Sequence, residues 1–122
     1  MIEQQANCVM AHPNIEMAIV GHENSVVSLY DLGGKRIHTI ESAHGDAGIT
    51  SVTTNSGLQF VTGGHDGMMR FWDIRNYKCV QEVQAHQRKY DEALACIEIH
   101  PTLPLIASGG ADSIVNLFEG TL

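Results

Sequence analysis

Seven histidines and three cysteines are the side chains in this 122-residue chain best suited to chemistry, as metal ligands or as a nucleophile with its base. Their spacing fits neither use. No Cys/His pairs fall at the short intervals of a zinc site, and no H-E-x-x-H pattern occurs. His44 and His86 recur 42 residues apart, and His12 and His100 each precede a proline. Recurrence of this kind marks structural histidines whose ring nitrogens are satisfied locally. Cys8 and Cys96 also occupy equivalent places, which marks a packing slot; a catalytic thiol would need a stabilised thiolate and a base. The glycine pairs 33–34, 63–64 and 109–110 are not phosphate cradles. None opens a helix after a strand in a G-x-G-x-x-G or G-x-x-x-x-G-K context, so they are read as turn glycines. The sequence predicts no catalytic residue, no metal site and no cofactor.

Composition narrows the partners. Seven basic against fourteen acidic side chains give a formal charge of -7, with an isoelectric point near 5.3. Scattered cations in an acidic chain make a poor polyanion site, so nucleic acid is disfavoured. The longest apolar run, Ala93 to Ile97, is far below the roughly 18 residues needed to cross a bilayer, and no membrane insertion is expected. The opening MIEQQANCV lacks the basic flank and apolar core of a secretory signal. An odd number of cysteines inside apolar stretches predicts buried thiols in a reducing, cytoplasmic setting. At 43% hydrophobic and 17% charged residues the chain is globular in composition.

The elements that position these residues are copies of one unit. SVVSLYD ends at Asp31, GMMRFWD at Asp73 and SIVNLFE at Glu119, 42 and 46 residues apart. Pro13, Asn55 and Pro101 keep the same intervals, as do Asn24, Asp66 and Asp112. The extra residues of the third copy are expected between His86 and Cys96. Within the middle copy, Gly48 to Thr54, Leu58 to Thr62, Met68 to Trp72 and Lys78 to Gln84 read as four short strands separated by turn residues. No window sustains a helical apolar period, so the expected class is all-β. Lys89 to Leu94 alone holds good helix formers and is read as an elongated loop with room for one helical turn.

A period of about 40–45 residues, four strands per unit and Phe71-Trp72-Asp73 closing a third strand resemble the WD-repeat propeller. The resemblance implies a partial propeller over residues 1–122: one blade at about 6–42, a second at about 44–85 and a third at about 86–119 lacking its outer strand. It further implies that His44, Thr62, Asp66 and Trp72 form a buried hydrogen-bonded tetrad. A buried carboxylate and imidazole are costly unless each lone pair and proton is matched. The third copy offers His86, Ser108 and Asp112, with Phe118 in place of the indole; the first departs further, with Val20, Asn24 and Tyr30.

More narrowly, nearly the whole chain is similar to the C-terminal part of the striatin family, including the extension HQRKYDEA after Ala85. That similarity implies a non-catalytic protein-binding scaffold docking components of a phosphatase–kinase signalling assembly. The alternatives are another WD-repeat adaptor or a reader of peptides or histone tails, built around Glu23, Asp46, His65 and Asp91. The loop carrying Arg88, Lys89, Tyr90 and Asp91 is either a solvated insertion or a partner-contact surface. The length falls short of a closed ring of four or more blades, roughly 160 residues. A C-terminal fragment or truncated product is therefore expected, with possible self-association through open blade edges.

Overall fold

A computed structural model describes residues 5–54, 58–86, 94–100, 102, 105–110 and 114–119. Among these there is no helix. The described residues form eleven strands: β1 (Ala6–Ala11), β2 (Met17–His22), β3 (Val27–Asp31), β4 (Arg36–Ile40), β5 (Ile49–Thr54), β6 (Gln59–Gly64), β7 (Met68–Asp73), β8 (Cys79–Gln84), β9 (Leu94–Ile99), β10 (Leu105–Gly110) and β11 (Val115–Glu119). They build three separate antiparallel sheets in sequence order, β1 to β4, β5 to β8 and β9 to β11. These are the blades, and the third has three described strands. The fold is an all-β partial propeller.

Each strand alternates its side chains between two faces, as its two-residue period requires, and the second blade has a neighbour on both. In β6, Phe60 enters a core shared with the first blade, where it meets Ile19, Leu29 and Ile49. Its neighbour Val61 enters a second core with Leu94, Ile97 and Ile106 of the third blade. The apolar cores therefore lie between sheets. Burying one such side chain stabilises by about 1.5–3 kcal/mol, so a blade depends on the blade beside it.

The glycine pairs do not all serve turns. Gly34 has φ 86 and Gly67 has φ 80, the left-handed conformation that suits glycine, and Ser25 adopts the equivalent conformation at φ 68 in the first blade. Gly63, Gly64, Gly109 and Gly110 instead lie inside strands. At Gly63 the missing side chain makes room for Leu94, and at Gly21 for Ile49. At Gly64 it lets the His44 ring approach, since a Cβ there would lie 2.8 Å from Nδ1.

Strand register also redistributes the insertion. Cys8 pairs with Gly21, Ser51 with Gly63 and Cys96 with Gly109, so inner strands recur at 43 and 45 residues. Three of the extra residues fall between His86 and Leu94, and the fourth between Ile99 and Leu105. The equivalence of Cys8 and Cys96 holds, but buried thiols do not. Cys8 is half-buried, with burial pushing its thiol pKa up against a lowering backbone hydrogen bond at Gly21. Cys79 and Cys96 are exposed, because the outer strand β8 and the far face of the third blade have no sheet against them.

Candidate functional site

The polar residues singled out by the repeat converge at one end of the second blade. Trp72 Nε1–H donates to Thr62 Oγ1 at 2.9 Å. Thr62 Oγ1 lies 2.7 Å from His44 Nε2, and His44 Nδ1 lies 2.9 Å from Asp66 Oδ1. One directional pattern satisfies all three contacts: indole N–H to hydroxyl, hydroxyl to Nε2, and Nδ1–H to carboxylate. This pattern corresponds to the Nδ1–H tautomer of His44; Arg70 Nη1 also lies 2.8 Å from Nδ1. Thr62 and the His44 ring are fully buried, so every polar atom in the chain needs its match.

Asp66 is the charged end of this line. It also accepts from the Met68 backbone N–H at 3.1 Å and from Arg70 at 2.7 Å. Burial raises its pKa, but the hydrogen bonds from His44 and Arg70 outweigh that and hold the carboxyl at about 2. Arg70 was not legible as a member of the set. It reaches Asp66 because the β6–β7 register places it opposite Thr62. Asp73 caps its own turn, accepting from Arg75 N–H at 2.7 Å and from the Arg75 guanidinium.

In the third blade His86 Nε2 lies 2.8 Å from Ser108 Oγ, while Phe118 packs half-buried against the second core. Asp112 lies outside the described residues. Asn116, which sequence reasoning passed over, donates to the Ala85 carbonyl at 2.6 Å from the position equivalent to Arg70. The first blade uses another solution. Asn24 is exposed, and the Tyr30 hydroxyl accepts from Arg36.

Backbone bonds complete the junctions. Ala43 N–H donates to the Ser25 carbonyl and His44 N–H to Ser25 Oγ, both at 2.8 Å. One repeat later, the Gly67 carbonyl accepts from Ala85 N–H at 2.8 Å and His86 N–H at 3.1 Å. Each Ala-His pair thus hangs by its backbone on the β2–β3 or β6–β7 turn of one blade and inserts its imidazole into the next. Asn7 Nδ2 donates to the Ile49 carbonyl, and Thr50 Oγ1 to the Leu94 carbonyl, adding a side-chain bond across each junction.

Two further histidines make similar local bonds, whereas His65 Nδ1 is buried with no hydrogen-bond partner. Asn14 and Ile15 N–H groups donate to His12 Nδ1, and the Thr102 N–H donates to His100 Nδ1, so both cap turns. Among the described residues no group of three or more His, Cys, Asp or Glu side chains is placed to hold a metal ion. No helix among them is long and apolar enough to cross a membrane.

Above the buried line, turns of the first two blades share a rim. Glu23 accepts from Asn7 at 2.7 Å and closes on Gly48, whose carbonyl accepts from His65 N–H at 3.0 Å. Asp46 is exposed two residues before Gly48. Arg88, Lys89, Tyr90 and Asp91 lie outside the described residues.

A sequence-family profile described as "WD domain, G-beta repeat" matches residues 34–73 and 77–119. The chain is 37% identical over 116 residues to "Striatin homolog" of Dictyostelium discoideum, a match covering 94% of this chain and 14% of the relative. It is 36% identical over 115 residues to human "Striatin-4", covering 93% of this chain and 15% of that protein. The chain thus spans about one seventh of the length of these relatives. Among solved structures, the β-propeller domain of Myceliophteria thermophila Cps50 (Swd1) superimposes with a TM-score of 0.80 at 17% identity. That match covers 100% of this chain and 36% of the other, and shows a shared fold.

Proposed function

The chain belongs to the WD-repeat family, and on that premise we propose that it is a non-catalytic protein-binding platform of the striatin kind. It docks components of a phosphatase–kinase signalling assembly in the cytoplasm. The observation that carries this reading is the consumption of the polar side chains by structure. His44, Thr62, Asp66 and Trp72 are bonded to one another, so they stiffen the blades. What remains outward is a polar rim around Glu23 and Asp46, the kind of loop surface on a rigid β scaffold that takes partners. The similarity to striatins over more than nine tenths of the chain supports the choice of partner class.

Affinity capture with this chain, quantifying phosphatase and kinase subunits and histones in parallel, tests the reading. Enrichment of phosphatase and kinase subunits that is lost with Glu23→Lys/Asp46→Lys supports it. Enrichment of histones alone, or of none of these proteins, overturns it.

A further inference from the structure

Strand direction gives the blades two ends, and their turns differ in charge. The β2–β3, β4–β5 and β6–β7 turns carry Glu23, Asp46 and Asp66 at one end, and the β3–β4 and β7–β8 turns lie at the other. Five Lys and Arg residues are described, and four of them, Lys35, Arg36, Arg75 and Lys78, lie at this second end. Arg70, the fifth, is held by Asp66.

The middle blade carries the case, because a sheet covers each of its faces and its turns are still exposed. Leu58 is 47% exposed, and its carbonyl accepts from Ile74 N–H at 2.8 Å, which sets it beside the β7–β8 turn. Glu16 stands at that place in the first blade, so only the middle blade is apolar there. Arg75 and Lys78 are exposed. The carboxylate of this turn, Asp73, is buried and already taken by the Arg75 guanidinium and backbone. Lys78 makes no ion pair among the described residues. Lys35 is its first-blade equivalent: Asp31 N–H donates to the Lys35 carbonyl as Asp73 N–H donates to that of Lys78.

Tyr77 sits among these residues at a backbone cost. It adopts φ 60, whereas its first-blade equivalent is Gly34 at φ 86. A bulky residue is strained in that region and glycine is not. The turn holds it there: Tyr77 N–H donates to the Asp73 carbonyl at 2.8 Å, and its ring stacks on His38 of β4, centroids 3.9 Å apart. The ring is only partly buried. A braced aromatic beside exposed Leu, Arg and Lys has the composition of a binding surface, and its rigidity lowers the entropic cost of docking.

We propose that this end of the middle blade, formed by Leu58, Arg75, Tyr77 and Lys78 with Lys35 of the neighbouring blade, docks an acidic, leucine-containing segment of a partner protein. In a chain of net charge -7, a cationic end opposite an acidic rim orients such a segment. The inference rests on the platform reading and adds a second surface to it, at the end opposite Glu23 and Asp46.

Fluorescence anisotropy of a labelled peptide of Glu, Leu and Gly, titrated with the full chain, tests this. Binding should weaken several-fold as salt rises from about 20 to about 300 mM. A counterpart peptide with Gln for Glu should bind several-fold more weakly. Lys35→Glu/Lys78→Glu should weaken binding by about fivefold or more, and Leu58→Ser should weaken it too. Lys35→Gln/Lys78→Gln replaces the charge reversal if that variant loses the wild-type circular dichroism spectrum. Capture through the rim is read separately by the Glu23→Lys/Asp46→Lys variant, so either surface can fail alone. No binding up to about 1 mM chain overturns the proposal. So does equal binding of the Gln peptide, indifference to the lysine changes, or a poly(U) RNA that displaces the peptide and binds more tightly.

Discussion

Leu94 occupies the space that a side chain on Gly63 would need. The two residues belong to adjacent blades, and the same relation holds one repeat earlier between Ile49 and Gly21. A glycine on the second strand of one blade and a branched aliphatic residue on the first strand of the next thus set how closely two sheets approach. This contact, and the Ala-His pairs beside it, make three sheets into one body.

Gly63→Ala should destabilise the chain by about 1–3 kcal/mol through overpacking, and Leu94→Ala by about 2–5 kcal/mol through a cavity. The double variant should cost less than the two together, by on the order of 0.5–3 kcal/mol of favourable coupling. Urea titration of the four proteins measures this. Strict additivity would separate the two sites.

Thr62→Val removes the hydroxyl that joins Trp72 to His44, stranding an indole N–H and an imidazole nitrogen in the interior. A loss of about 2–4 kcal/mol is expected. Ser108→Ala strands only His86 Nε2, for about 1–2 kcal/mol. Equal shifts in urea midpoint would contradict the longer chain of bonds in the second blade.

Asp66 gives the lock a pH signature. Its carboxyl sits at about 2 in the folded chain against an ordinary 3.8. A depressed pKa contributes stability that is full above the unfolded value and is lost as pH falls through the folded one. Asp66→Asn should therefore be less stable than wild type at pH 7 by about 1–2 kcal/mol, allowing for screening at this partly exposed site. The gap should close between about pH 5 and pH 2. Asp66→Ala should cost roughly 1–3 kcal/mol, and Asn24→Ala, at an exposed position, less. A gap that is constant with pH would show that the charge is not what His44 and Arg70 hold.

Much of this was legible in the chain because period and turn chemistry repeat. The four strands read in the middle copy are found within one or two residues of their expected bounds. The one-residue slip of β5 was not legible, since β-bulges and a shorter β5–β6 turn trade residues without changing the spacing of the third strands. Arg70 and Asn116 were missed for a related reason: what a strand side chain reaches depends on register across sheets, not on local spacing. The exposure of Cys96 is a property of the missing neighbour, which no local pattern in β9 encodes.

The charged loop is proposed as a partner contact. Changing Arg88, Lys89 and Tyr90 together to serine should weaken capture of phosphatase and kinase subunits. It should leave the thermal midpoint nearly unmoved, as surface changes fall within about ±0.5 kcal/mol. Unchanged capture would make the loop a solvated insertion.

Amide hydrogen exchange at Ala43, His44, Ala85 and His86 tests most directly that the blades form one rigid platform. These four N–H groups are the ones held by the β2–β3 and β6–β7 turns. They should exchange as slowly as the amides of β6 and β7 and slow down together with them as stability rises, the behaviour of one cooperative unit. Exchange as fast as that of an exposed turn, with β6 and β7 still protected, would contradict the account: the blades would then be separate sheets with loose connections.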